Sequence, residues 1–278
     1  FKQSDFSSFS EYYQFLANND CRHLLWECLI SEITVGESSF FRNHYHTKVL
    51  TREIFPRLLD ISCHKRKILR IWSAGCSCGQ EPYTLAIILN ELKPYFPRVS
   101  VQILATDINN VSLQKAKKGV YTQWDLRNIE NTLVDRYFEK KGGEFFLQQK
   151  IKDMVTFNYL NLAEDLYPSY LTHTSELNLI ICRNVTIYFN EKVTERVINN
   201  FHNCLAAEGW LIVGHSEHNS KFYTNFKTVN FENAQVYQKT FPKSAVLPED
   251  IFGKFTENGL THSRRRTIAI EPLDSLIK

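Results

Sequence analysis

Residues Ile68–Leu92 read ILRIWSAGCSCGQEPYTLAIILNEL: an apolar run, a turn of small residues, then helical periodicity. Leu69, Ile71 and Trp72 suit a buried strand. Leu85, Ile88, Leu89 and Leu92 recur at helical spacing and form one apolar stripe. Pro82 falls in the first helical turn, where a missing N–H costs nothing. A tight strand–glycine–helix turn lets backbone approach a ligand and aims helix N–H groups at it. Parallel α/β proteins begin a nucleotide or nucleoside site in this way.

Upstream, residues 1–67 have helical spacing in SSFSEYYQFL, CRHLLWECLI and HTKVLTREIFPRLL. Downstream, strands and helices alternate. Val101–Ile108 is the second buried strand. Asn109 and Asn110 open a helix through Lys118, with cations in its last turn and Gly119 as its stop. A helix is expected over about Leu126–Glu139. Gly142-Gly143 between strand-like runs marks a small antiparallel insertion. Met154–Leu162 and Glu176–Val185 are further strands. Asn190 caps a helix carrying Val193, Val197, Ile198, Phe201 and Leu205, which Gly209 should end, and Trp210–Glu217 is the next strand. FKTVNF and AQVYQKT, joined by Glu232-Asn233, form a terminal hairpin. The fold class is therefore α/β with a mostly parallel, Rossmann-like sheet. A closing antiparallel hairpin fits the methyltransferase variant of that sheet better than a dinucleotide fold. The expected organisation is an N-terminal helical domain over 1–67, a sheet domain over 68–241 with a β-insertion at about 120–156, and a tail or linker over 242–278.

Ligands of open α/β sheets bind beyond the carboxyl ends of strands, so those positions hold the candidate site residues. Ala74-Gly75-Cys76-Ser77-Cys78-Gly79-Gln80-Glu81 follows the first strand. It lacks the Lys-Ser/Thr of a phosphate loop and the GxGxxG spacing of dinucleotide folds. Asp107 ends the second strand, where a carboxylate can accept both hydroxyls of a ribose. Asn161-Leu162 ends the third, an amide and an apolar wall suited to an adenine edge. Arg183-Asn184 ends the fourth, and Tyr188 follows. Singly, each has an ordinary explanation: Asp107 a helix cap, Asn161 a loop residue, Arg183 a surface charge. Their agreement at matching strand ends describes an adenosine pocket.

Composition narrows the rest. The net charge of +3 over 278 residues argues for neither nucleic acid nor a membrane surface. No apolar run approaches the roughly 18 residues of a spanning helix. The 7 cysteines lack zinc-type pairing, so reduced thiols in a cytoplasmic protein and no bound metal are expected. Phe1 stands where a Met would begin a chain, so a cut before it is expected. His215 and Glu217 close the fifth strand and suit strand-end hydrogen bonding. Arg264-Arg265-Arg266 suits a solvated tail.

From Ser4 to about Lys239 the chain resembles the CheR-type chemotaxis-receptor glutamate methyltransferases. The matching segments are ESSFFRN (Glu37–Asn43), IWSAGCSCGQEPYTLA (Ile71–Ala86), ATDIN (Ala105–Asn109), KKGVY (Lys117–Tyr121), RYF (Arg136–Phe138), FNYLNL (Phe157–Leu162), IICRNVTIYF (Ile180–Phe189) and GHSE (Gly214–Glu217). The resemblance implies S-adenosylmethionine (SAM) as methyl donor and S-adenosylhomocysteine as product. It implies a helical N-terminal domain, a SAM-dependent methyltransferase sheet and a small inserted β-subdomain. In the family's N-x-T-x-F-F-R segment the Asn, Thr and Arg lie by the cofactor. Gly36, Ser38 and Arg42 stand there here, so one amide is lost. The family's G-E-E-P-Y becomes G-Q-E-P-Y, leaving Glu81 as the implied SAM contact. Asp107, Asn161, Leu162, Arg183 and Asn184 match the other cofactor contacts, and Tyr188 matches the tyrosine beside the reactive methyl.

The implied partners are cytoplasmic helices of chemoreceptors, without membrane insertion or nucleic acid. The basic helix that precedes SSFSEYYQFL in the family is not part of this sequence, so the N-terminal domain is expected to be cut short. The loop Glu139–Phe146 is shorter than in members that tether to a receptor pentapeptide, so tethering is not expected. A glutamate acceptor, with an ordinary pKa of about 4.3, is an anion near pH 7 and needs no general base. Arg42 and Tyr188 are the residues expected to orient it. The competing possibilities are a SAM-binding scaffold without turnover, and a methyltransferase acting on a protein outside chemotaxis.

Overall fold

The computed structural model describes residues 6–18, 24–34, 36–65 and 68–240. The expected tail over 242–278, with its arginine run, lies outside the described residues. The chain opens with α1 (Phe9–Asn18) and α2 (Leu24–Ile33). An extended segment then leads to α3 (His44–Val49), which continues through a π-helical stretch, Leu50–Ile54, into α4 (Phe55–Lys65). The sheet region follows as β1 (Leu69–Ala74), α5 (Gln80–Leu92), β2 (Val101–Asp107), α6 (Asn110–Lys118), β3 (Val120–Tyr121), α7 (Asn131–Tyr137), β4 (Phe138–Lys141), β5 (Glu144–Leu147), α8 (Gln149–Lys152) and β6 (Val155–Tyr159). It closes with β7 (Leu177–Cys182), α9 (Glu191–Cys204), β8 (Leu205–Val213), β9 (Phe226–Phe231) and β10 (Ala234–Lys239).

The 7-stranded sheet runs β6-β2-β1-β7-β8-β10-β9. The pairings of β1, β2, β6, β7 and β8 are parallel, and β10 pairs antiparallel with both β8 and β9. The chain leaves β1 for β2 and β6 on one side, then returns to β7 on the other. That reversal opens a crevice beyond the carboxyl ends of β1 and β7. Gly75 and Arg183 follow those two strands directly.

Strand burial matches a sheet covered on both faces: every residue of β1 is buried except Arg70, and every residue of β7 except Asn178. One core gathers α3, α4 and α5 with Ile71 and Leu179. The opposite face packs Trp72, Ile180 and Leu211 against Phe201 of α9 and against Tyr167. Helix α5 is buried well beyond its apolar stripe, with Tyr83, Thr84, Ala86 and Ile87 also enclosed. Its outer side is covered because Tyr83 donates to Ala116 O (2.9 Å), Thr84 accepts from Phe41 N (3.0 Å) and Asn90 donates to Tyr137 (2.9 Å).

The second sheet, β3-β5-β4, is small and antiparallel, with Gly142-Gly143 as its hairpin turn. Phe40 plugs the seam between it and the main body, edge-on to Tyr121 (4.8 Å) and Phe138 (5.3 Å).

Three expectations need correction. The helix expected over Leu126–Glu139 is only Asn131–Tyr137. Asp125 accepts from Thr122 N and Oγ1 (both 2.8 Å) and folds the preceding residues into turns, and Phe138 starts β4. The helix after Asn190 ends at Cys204 rather than Gly209, because Leu205 is already extended and pairs with Leu177. The register between β7 and β8 then shifts, and Gly209 sits where a Cβ would lie 2.9 Å from Leu177 O. The strand expected to run to Glu217 stops at Val213, and His215–Glu217 form a 3-10 turn because Gly214 N donates to the Glu217 carboxylate (2.6 Å).

Candidate functional site

Beyond the carboxyl ends of β1, β2, β6 and β7 lies a cavity of about 390 Å³, inside the roughly 300–1,000 Å³ range of small-molecule sites. Gly75 and Ser77 form one wall, Asp107, Ile108 and Asn109 the next, Leu160, Asn161 and Leu162 the third, and Asn184, Val185, Tyr188 and Phe189 the last. Gly75, Asp107, Asn161, Leu162 and Asn184, expected from separate strand ends, thus meet around one space, and Arg183 is not among them. A wider groove lined by His44, His215, His218 and Asn230 contains none of them.

Close backbone approach makes the β1 turn what it is. Gly75 has φ +77, and a Cβ there would run into the Val185 side chain. Gly75 N and Cys76 N both donate to Thr106 O (2.8 and 2.9 Å), which pins the turn to the end of β2. The Cys76 thiol beneath it is buried, and burial pushes its pKa well up.

Asp107 accepts from Ser77 N through Oδ2 and from Asn109 N through Oδ1, each at 2.8 Å. Each oxygen keeps acceptor capacity for a ligand in the cavity. Burial raises its pKa, against the pull of the Asn109, Ser77 and Ile108 N–H groups. Asn109 caps α6 by accepting from Ser112 N (3.0 Å), and its amide donates to Thr34 (2.8 Å). Asn161 forms an Asx turn, accepting from Ala163 N (3.0 Å) while its amide donates to Glu164 (3.1 Å). Leu160 and Leu162 supply the apolar surface beside it.

Glu81 and Arg183 stand apart from this cavity. They form an ion pair of 2.6 Å, each side chain 12% exposed, beside a small enclosed space shared with Arg42 and His46. Ser73 donates to Glu81 Oε1 (2.7 Å), and Arg183 Nη1 donates to the carbonyl of Arg42 (2.6 Å). This network ties β1, α5 and β7 to the segment that carries Arg42. His46 is buried with Nδ1 lacking a partner, and burial beside Arg183, His218 and His215 pushes its pKa down to about 3.

The segment Gly36–Asn43 crosses from the cavity to that network. Gly36 lines the cavity and accepts from Ser77 Oγ (3.2 Å). A Cβ at Gly36 would meet Ser77 Oγ at an ordinary 3.7 Å, so the position has room for a side chain. Arg42 donates through Nη1 to Glu37 O (2.9 Å); it borders the small space shared with His46, Glu81 and Arg183 and, contrary to expectation, is not among the residues lining the cavity. Ser38 is half-buried and is not among the residues lining the cavity. Tyr188 lines the cavity yet is 62% exposed, which places its phenol at the mouth.

Some of the lining was not foreseen. Ile30 and Ile33 of α2, with Thr34 just after it, add to the lining. Asn110 donates to Glu27 (2.7 Å), and with the Asn109–Thr34 bond this docks α2 onto α6. The signal available was only the apolar face of a short helix, which any core helix also shows. Glu217, at the end of GHSE, is buried and accepts from several backbone N–H groups of the segment that follows β7. Strand-end hydrogen bonding was the expectation there.

Among the described residues no helix is long and apolar enough to cross a membrane, and no group of three or more His, Cys, Asp or Glu side chains is placed to hold a metal.

Residues 36–235 match the family model described as the CheR methyltransferase SAM-binding domain. A chemotaxis protein methyltransferase of Borreliella burgdorferi is 37% identical over 220 residues, covering 78% of this chain and 76% of that one. Chemotaxis protein methyltransferase 2 of Vibrio cholerae is 31% identical over 215 residues, covering 77% and 73%. The Escherichia coli chemotaxis protein methyltransferase is 31% identical over 205 residues, covering 72% and 67%.

Proposed function

The chain belongs to the CheR methyltransferase family, and from that premise we propose that it methylates glutamate side-chain carboxylates on the cytoplasmic helices of chemoreceptors. As a member it is a SAM-dependent methyltransferase of chemotaxis. The acceptor and the roles of individual residues are the proposal.

The convergence of Gly75, Asp107, Asn161 and Asn184 around one cavity carries the residue assignments. The donor set suits SAM. Asp107 offers both oxygens to the ribose hydroxyls, with its backbone donors keeping the carboxylate in place. Leu160, Leu162 and Ile108 would enclose the adenine, with Asn161, held in its Asx turn, lining the same part of the cavity. Gly36, Gly75 and Asn184 bring backbone close to the amino-acid end. Glu81 and Arg183 set the position of the Arg42 backbone, and Arg183 neutralises the buried carboxylate of Glu81. Ser38 acts through the same segment.

When bound, SAM supplies an electrophilic methyl on a sulfonium centre. The protein's task is position and electrostatics. The acceptor glutamate arrives ionised, so no side chain has to remove a proton. Tyr188 at the mouth and Arg42, on the segment that leads from Gly36 at the cavity to the Glu81–Arg183 pair, would orient the carboxylate and bring an oxygen to about 3–3.5 Å from the methyl carbon. A tight bidentate grip by Arg42 would quieten the nucleophile, so the orienting contact is loose, with Glu37 O already holding one N–H. Ile30 and Phe189 help exclude water, which leaves the carboxylate less solvated. The Gly142-Gly143 turn makes a short hairpin, which favours direct docking of the receptor helix over a pentapeptide tether.

The test is transfer of labelled methyl from SAM to purified receptor cytoplasmic fragments. Base-labile label is expected. Intact binding of S-adenosylhomocysteine with no transfer to any receptor fragment would refute the glutamate proposal.

A further inference from the structure

We propose that Glu217 is a positioning residue of the cofactor site: its carboxylate holds the Asn184–Phe189 segment against the cavity, although Glu217 itself touches no ligand. The proposal rests on the assignment of SAM to the cavity beyond β1 and β7.

The geometry is unusually complete for one side chain. Oε2 accepts from Asn184 N (2.8 Å) and Gly214 N (2.6 Å). Oε1 accepts from Val185 N, Thr186 N and Thr186 Oγ1, each at 2.8 Å. Successive N–H groups folded into a concave turn form an anion-binding nest, and here an internal carboxylate fills it. Asn184 sits in the left-handed region at φ +60, a conformation that asparagine tolerates better than most L-residues, and its N–H is among those the carboxylate fixes. Glu217 is buried and does not line the cavity.

What the nest holds is the cavity wall. Asn184, Val185, Tyr188 and Phe189 all line it. Val185 abuts Gly75 across the turn. Tyr188 N donates to Val185 O (3.2 Å) and Phe189 N to Thr186 O (3.0 Å), so the short turn carrying Tyr188 is built directly on the held residues. Behind the carboxylate, Glu217 O accepts from Tyr223 (3.1 Å), whose ring stacks on Tyr237 of β10 at 3.9 Å and 8°. The terminal hairpin thereby becomes a brace for the cofactor site. The isosteric amide would keep one acceptor oxygen and turn an NH₂ donor towards N–H groups, leaving them unpaired in a buried place.

The test compares Glu217→Gln, Thr186→Val, Asp107→Ala and Leu205→Ala with the parent chain. S-adenosylhomocysteine affinity is measured by calorimetry, and initial rates by methyl transfer to receptor fragments. Glu217→Gln should lose about tenfold to a hundredfold in affinity and raise the KM for SAM, while the KM for the receptor fragment stays near the parent value. Thr186→Val removes a single donor and should move the same way by less. Leu205→Ala, at the other end of β8, lowers thermal stability but should leave affinity unchanged. Parent-like affinity in Glu217→Gln, or an equal loss in Leu205→Ala, would overturn the proposal. If Glu217→Gln does not fold, Thr186→Val decides, and unchanged affinity there overturns it. Loss at Asp107 with none at Glu217 would refute positioning alone, whereas no loss at Asp107 would remove the cavity assignment and the proposal with it.

Discussion

Replacing Gly75 by alanine should damage the protein in two separable ways. The first is backbone strain: φ is +77, and an L-residue held there costs about 1–2 kcal/mol. The second is steric, because the new Cβ would overlap Val185 Cγ2. Neither side can yield easily. Gly75 N and Cys76 N are pinned to Thr106 O, and Val185 N is held by the Glu217 carboxylate. Overpacking of this kind costs about 1–3 kcal/mol, so Gly75→Ala should lose about 2–5 kcal/mol of stability, along with cofactor affinity. Trimming Val185 to alanine removes the offending methyl groups and leaves Val185 Cβ at 3.5 Å, an ordinary contact. The double variant should therefore recover the steric part and keep the strain. In a double-mutant cycle read by chemical denaturation, with parallel calorimetry of S-adenosylhomocysteine, the coupling should be favourable by about 1–3 kcal/mol. A Gly75→Ala protein within about 0.5 kcal/mol of the parent, or a cycle without coupling, would show that this turn is not packed against Val185 as described.

Other changes have equally definite outcomes. Asp107→Ala removes the acceptors proposed for the ribose, and about tenfold to a hundredfold weaker S-adenosylhomocysteine binding is expected by calorimetry; unchanged affinity would end the ribose assignment. Arg42→Ala and Tyr188→Phe should bind S-adenosylhomocysteine almost as the parent does yet lower kcat in the methylation assay, and full activity in either would refute its orienting role. His46 has a pKa near 3 in the fold against 6.5 unperturbed, so unfolding takes up a proton in between. The stability it contributes is fully present above pH 6.5 and falls by about 1.4 kcal/mol per pH unit as pH drops towards 3. Denaturant titrations between about pH 7 and pH 5 should show a shallower slope in His46→Gln, and parallel slopes would contradict the burial of a neutral imidazole.

The strand–turn–helix at Ile68–Leu92 was legible because its signals are local: an apolar run, glycines where the backbone turns back, and i, i+3, i+4 spacing. The same holds for Asp107, whose place after a buried apolar run puts it at the carboxyl end of a strand, and for the terminal hairpin. Contacts between distant segments were not legible. Ile30, Ile33 and Thr34 reach the cavity only because the side chains of Asn109 and Asn110 tie α2 to α6, and no periodicity reports that docking. Glu81 and Arg183 matched strand-end positions, but their mutual attraction turns them into a pair beside the cavity. Gly209 looked like a helix stop because glycine commonly is one; its position is set instead by the carbonyl of Leu177 on the neighbouring strand. Glu217 after a strand is unremarkable in sequence, and its importance comes from the nest of N–H groups that follows β7.

The most direct test of the glutamate assignment is to locate the transferred methyl. A receptor cytoplasmic fragment methylated by this protein with SAM would be digested and mapped by tandem mass spectrometry before and after mild base. Methyl esters on glutamate side chains, lost in base, are the expected result. A base-stable methyl on lysine, arginine or any other nitrogen would contradict it.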